Sequence, residues 1–226
     1  MIWVLIIWAT LITAFTLIGA AYAKKYNRPD ALIGLYVAFV LVSNIIAFKI
    51  VTFDLGFTLI VAPASVLFFS VTFLMTDIVN ERFGRFETYK MVFIAFLTQV
   101  AATFFIWLAI SFPAAPFWGD QIIFKKVFGF MPRIILASWI AFLISENLDA
   151  YIFFRFKKLT RGGYVWVRNV FSSMPAMLID SILFVGIAFY GIQPVWQIIF
   201  GTVVLKWGVA VLNIPFMYLS RKIMRE

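Results

Sequence analysis

The chain has 226 residues and a formal charge of +9; 64% of its residues are hydrophobic, 19% aromatic and 13% charged. Soluble domains run at roughly 45–50% apolar and about 25% charged, so no aqueous core of this size could hide so much apolar surface, and the solvent the composition requires is lipid. Cysteine and histidine are absent, which excludes disulfides, thiol catalysis, Cys/His zinc sites and His-based acid–base or triad chemistry.

A helix crosses ~30 Å of hydrocarbon with about 20 apolar residues, and seven segments meet that requirement. The first runs from Ile2 to Tyr22 and is followed by Lys24, Lys25 and Arg28. Ala21-Tyr22-Ala23 has the form of a signal-peptidase site, but no Lys or Arg precedes the apolar run, so an uncleaved span is the better expectation. The second span covers about Ala31 to Phe48, and Asp54 with Gly56 marks a turn in the segment after it. The third extends from about Thr58 to Val79, with Pro63 in its first turns, where a helix tolerates proline. A polar break, Asn80 to Arg85, leads to a fourth span over about Thr88 to Ile110. The connection from Ser111 to Met131 is longer and holds a short surface helix at Gln121 to Phe128. The fifth span runs from about Arg133 to Phe154, the sixth from Asn169 to Tyr190 and the seventh from Val195 to Leu219, with turns at Gly162-Gly163 and Gln193-Pro194.

Alternate connections, 24–28, 82–90, 155–168 and 221–225, hold fourteen of the nineteen Lys and Arg, and the opposite set holds four. Basic loops stay in the cytoplasm, so the N-terminus is expected outside and the C-terminus inside. Basic residues clustered between apolar runs in this way are a topology signal and not a nucleic-acid footprint. The expected fold is an all-α transmembrane bundle forming a single domain over 1–226.

Charges within a span cost at least ~2.5–3.5 kcal/mol each on insertion scales and mark functional interiors. Glu146 and Asp149 lie in the fifth span, Asp180 in the sixth and Lys206 in the seventh. At ~1.5 Å per residue, Glu146, Asp180 and Lys206 fall at one level near the midplane, with Asp149 about a turn nearer the cytoplasm. Ser138, Phe142, Ser145 and Asp149 share one helix face, as do Ser173, Ala176, Met177 and Asp180. Asn44 and Gln99 add amides from the second and fourth spans. These stripes fit helices around a shared wetted cavity. Lys206 with Asp180 would also serve as a structural ion pair, but three acids against one Lys leave negative charge over, which suits a proton relay or a ligand rich in hydrogen-bond donors. Asp77 and Glu81, beside Arg82 and Arg85, form either a solvated interfacial cluster or a gate or clamp.

Four segments in series carry a resemblance: TDIVNERFGRFETYK (76–90), RIILASWIAFLISENLDAYIFFRFK (133–157), WVRNVFSSMPAMLIDSILFVGIAFYG (166–191) and the Lys206…Pro215 span. Together they resemble the queuosine precursor transporter family, also called the vitamin uptake transporter family, over about residues 31–220. The resemblance implies a six-helix core over 31–220 with residues 1–23 as an additional N-terminal helix. It implies import of a 7-deazaguanine-type base for tRNA modification across the cytoplasmic membrane, as a multi-pass protein without cofactor, metal or enzymatic activity. By motif position it assigns functional roles to Asp77, Ser145 to Asp149, Arg168, Asn169, Ser172, Ser173, Asp180 and Lys206. Glu146 stands where the family often has Gln, and Met177 where it often has an amide. A guanine-like edge offers two adjacent N–H donors that a carboxylate accepts together.

The expected substrate-binding set is Asn44, Glu146, Asp149, Ser173, Asp180 and Lys206, with Asp77, Glu81, Arg168 and Asn169 as gate or structural residues. The partners are then a small heterocyclic base and the lipid bilayer, with homo-oligomerisation and proton coupling open. No GxxxxGK[ST] motif is present, so the chain does not hydrolyse ATP through a P-loop of its own. Two other readings remain: a substrate-binding subunit served by a separate ATPase, and an intramembrane enzyme using an aspartate pair such as Asp149 and Asp180.

Overall fold

The structure, a computed structural model, describes the backbone of residues 2–54, 56, 58–159 and 165–225; the side chains of 156–172, of 212–225 and of isolated positions including Asp77 and Glu81 lie outside the description. The chain is predominantly helical. Its elements in order are α1 (Ile2–Tyr26), α2 (Asp30–Ile46), β1 (Ile50–Asp54), β2 (Leu59–Pro63), α3 (Val66–Phe83), α4 (Arg85–Ser111), α5 (Gln121–Phe128), α6 (Met131–Leu159), α7 (Val165–Phe189) and α8 (Val195–Arg225). Two stretches among the described residues are long and apolar enough to cross a bilayer, Arg85–Ser111 with mean hydropathy 2.1 and Gln121–Asp149 with 2.0.

Breaks between helices follow the local chemistry. Gly84 takes φ +85°, a left-handed value open to glycine, and its N–H closes the end of α3 on the Asn80 carbonyl at 3.1 Å. The chain then restarts at once as α4. At the other end of the bundle, Arg133 near the start of α6 donates from Nε to the Ile187 carbonyl at 2.7 Å and from Nη2 to the Tyr190 carbonyl at 2.8 Å. A cation there satisfies carbonyls that the last turn of α7 leaves without helical partners.

The segment after α2 departs from the all-helical expectation. Residues 50–63 form an antiparallel hairpin, with Val51 opposite Ala62 and Phe53 opposite Ile60, so the helix expected from Thr58 begins only at Val66. Both strands contain Val and Ile, which favour extended backbone, and an apolar run alone does not distinguish strand from helix. Pro63 accordingly ends β2 and does not sit in a first helical turn. The expected turn at Asp54 and Gly56 is present: the Gly56 N–H donates to Asp54 Oδ1 at 2.8 Å.

The hairpin packs against the helices on one face. Phe53, Ile60 and Ala62 are buried in a cluster with Val66, Leu67, Leu205 and Val209 from α3 and α8. The seam is close enough that a Cβ on Gly201 would stand 2.0 Å from the Val61 carbonyl oxygen. Two further cores complete the packing. One joins α1, α2, α3 and α4 around Leu32, Tyr36, Met75, Val79 and Met91; the other joins the end of α2 to α6, α7 and α8 around Ala137, Val185, Phe189 and Ile198. The most extensive helix pair is α6 with α7.

Candidate functional site

A small recess lies where these cores meet. Ser43 and Asn44 of α2 form one wall. Pro63 and Ser65, at the exit of the hairpin, and Phe69 of α3 form the next. Ser138 of α6, Asp180 and Phe184 of α7, and Thr202 and Lys206 of α8 complete it. The local sequence explains why these side chains turn inward. Asp180 and Phe184 are four apart on α7, Thr202 and Lys206 four apart on α8, and residues at that spacing share a helix face.

Lys206 forms an ion pair with Asp180 Oδ2, and the side chains retain only 4% and 3% exposure. Neither charge would be tolerated alone at this burial; each supplies the neutralisation the other needs. The Lys206 ammonium also lies 5.5 Å from the centroid of the Phe69 ring, within cation–π range. On the other carboxylate oxygen, Ser145 Oγ donates at 3.4 Å while also lying 3.1 Å from the Phe142 carbonyl. A carboxylate has about four lone-pair sites, so Asp180 keeps capacity for a ligand's donors with Lys206 in place. Trp207 ties the same level of α8 to α7, its indole N–H donating to the Met174 carbonyl at 3.1 Å.

A second polar layer lies further along α6 and α7. Ser173 Oγ donates to Asp149 Oδ1 at 3.2 Å. Asp149 is one helical turn beyond Ser145, so this layer is ~6 Å along α6 from the Ser145–Asp180 contact. Glu146 is half-buried on α6. On the α2 side, the Asn44 amide donates from Nδ2 to Gln99 Oε1 of α4, both side chains being buried.

Of the six residues expected to bind substrate, Asn44, Asp180 and Lys206 therefore line one recess. Asp149 and Ser173 pair with each other in the adjoining layer, and Glu146 is half-buried on the same helix as Asp149. Arg168, Asn169, Asp77 and Glu81, expected as gate or structural residues, have side chains outside the description. Sequence reasoning missed Ser43, Ser65, Phe69, Phe184 and Thr202. Ser43 and Thr202 had a usable signal, as neighbour of Asn44 and as the residue one turn before Lys206. In a chain with 28 phenylalanines, Phe69 and Phe184 had none.

A family model described as "Putative vitamin uptake transporter" matches residues 63–220. A "Probable queuosine precursor transporter" of Bacillus subtilis (strain 168) is 32% identical over 158 residues, covering 68% of this chain and 69% of that protein. A second protein of that description, from Haemophilus influenzae, is 28% identical over 125 residues, 55% of this chain and 50% of the relative. No solved structure gives a significant match. The matched region holds α3 to α8 and hence Asp180 and Lys206, whereas Asn44 lies before the family match. On the extent of these matches, the chain belongs to the vitamin uptake transporter family and is a membrane transporter, not an enzyme.

Proposed function

We propose that this protein imports a 7-deazaguanine-type base, such as 7-cyano-7-deazaguanine, across the cytoplasmic membrane and holds it in the recess between α2, α3, α7 and α8. One observation carries the reading: the buried Asp180–Lys206 pair forms part of the wall of a recess otherwise made of hydroxyls, an amide, two aromatic rings, Pro63 and Val66. Ligand pockets combine apolar and aromatic lining with a few placed polar groups. A planar heterocycle packs against Phe69 or Phe184, and its N1–H and exocyclic N–H donate to Asp180. The names given to the two relatives support this substrate class.

In this reading the seven long helices all span the bilayer as a multi-pass protein, with the N-terminus outside and the C-terminus in the cytoplasm, on the strength of the Lys and Arg distribution. Helix α1 is then an addition to a six-helix core. Asp149, Ser173 and Glu146 form the cytoplasmic-side continuation of the polar path, and protons are the coupling ion such a path accommodates.

Uptake of radiolabelled 7-cyano-7-deazaguanine into cells unable to synthesise it tests the proposal. Saturable uptake by the parent chain, lost in Asp180→Asn at equal membrane abundance, is expected. Full uptake by that variant would remove the carboxylate from substrate recognition, and no uptake by the parent would remove the substrate class.

A further inference from the structure

Eight serine and threonine side chains are buried among the described residues, and five of them follow one habit. Thr16, Thr72, Ser145, Ser181 and Thr202 each donate to the carbonyl of a residue three or four positions earlier on the same helix. That bond satisfies a hydroxyl inside an apolar bundle without help from any other element. The three that depart from it are Ser43, Ser65 and Ser138.

Ser43 Oγ, on α2, has no hydrogen-bond partner among the described residues. Ser65 stands at the N-cap of α3, where a serine ordinarily accepts a bond from a helix N–H, yet its side chain makes no capping bond. Ser138 of α6 makes no side-chain hydrogen bond with a described residue either. The three sit on different elements, and all of them line the recess. Among the recess hydroxyls Thr202 alone keeps the habit, its proton going to the Ile198 carbonyl at 2.7 Å. Buried polar groups in proteins are nearly always partnered. Exceptions left by loose packing would be scattered through the bundle, whereas these are gathered around one recess, as a binding site for a polar ligand requires.

We propose that Ser43, Ser65 and Ser138 are specificity-determining residues that hydrogen-bond the substrate in the recess. The inference rests on the deazaguanine reading above and adds contacts to it. A hydroxyl offers a donor as well as lone pairs, whereas a carboxylate only accepts. Asp180 therefore serves the N–H groups of the base and leaves its acceptors unserved. In 7-cyano-7-deazaguanine those acceptors are the lactam oxygen, a pyrimidine ring nitrogen and the nitrile. Lys206 is turned to Asp180 and to the Phe69 ring, and Thr202 to its own helix. The three serines are the hydroxyl donors that the wall has to give.

The test takes Ser43→Ala, Ser65→Ala and Ser138→Ala, with Ser181→Ala as a control. It measures KM for saturable uptake of 7-cyano-7-deazaguanine, and the Tm of each purified protein without base. Losing one neutral hydrogen bond to the base raises KM about three- to tenfold in each recess variant. The Tm of these variants stays within about a degree of the parent or rises, because no bond inside the protein is removed. Ser181 does not line the recess, and its hydroxyl is bonded to the Met177 carbonyl at 2.7 Å. Ser181→Ala therefore shows the opposite signature, a lowered Tm with KM within about twofold of the parent. An unchanged KM in Ser43→Ala, the most enclosed of the three, overturns the inference, since that hydroxyl then meets water and not substrate. A raised KM accompanied by a loss of Tm as large as that of Ser181→Ala overturns it too, because the serines then act through the fold. Both results leave uptake by the parent, and the deazaguanine reading, intact. A parent chain that takes up no 7-cyano-7-deazaguanine removes that reading and this inference with it.

Discussion

Gly201 of α8 and Val61 of β2 meet backbone to backbone, with space for a hydrogen and no more between the Gly201 Cα and the Val61 carbonyl oxygen. The contact fastens a two-stranded hairpin to a long helix at a point where any other residue would push them apart. Gly201→Ala should therefore lower the Tm of the detergent-solubilised protein by several degrees, matching the ~1–3 kcal/mol of overpacked interiors. Gly208→Ala on the same helix, where an added Cβ meets nothing within 4 Å, should leave Tm within about a degree. Equal effects at both positions would dismiss the close approach as the cause.

Lys206 and Asp180 should behave as a couple. Lys206→Met strands a buried carboxylate, at a cost of ~3–5 kcal/mol, and should reduce folded protein sharply. The double variant Lys206→Met, Asp180→Leu removes both charges and should recover much of that stability while remaining inactive in uptake. Stability of the double variant no better than the sum of the two singles would mean that the pair does not interact.

Arg133 secures the end of α7 through two carbonyls at 2.7 and 2.8 Å. Charge-assisted bonds of this kind contribute ~1.5–3 kcal/mol. Arg133→Gln should shift thermal unfolding downward by several degrees and leave the KM for substrate unchanged, since Arg133 does not line the recess. A raised KM at unaltered stability would place Arg133 in substrate recognition instead.

The absence of cysteine makes the chain ready for single-cysteine labelling. With the N-terminus outside, Lys125→Cys should react with a membrane-impermeant maleimide in intact cells, and Arg161→Cys only after permeabilisation. The reverse pattern would invert the proposed orientation.

The long helices could be read from the sequence because each is an apolar run ended by a strong local signal, such as Gly84 after Phe83 or Pro194 before Val195. A rise of ~1.5 Å per residue from the span ends likewise puts Asp180 and Lys206 at one level, where they pair. The hairpin escaped because Ile50–Asp54 and Leu59–Pro63 are as apolar as the helices around them, and hydropathy is blind to backbone geometry. Asn44 and Gln99 were noticed separately, but their hydrogen bond joins helices that are not consecutive in the chain. No periodicity within one helix predicts which distant helix it will face. The Phe69 and Phe184 rings were lost among many others, since a stacking surface is defined by what stands opposite it.

The hairpin carries Pro63 on one side of the recess and is locked to α8, which carries Thr202 and Lys206 on another. A tilt of α8 cannot leave the hairpin behind. Two walls of the recess thus share one backbone seam, and the position of one fixes the position of the other.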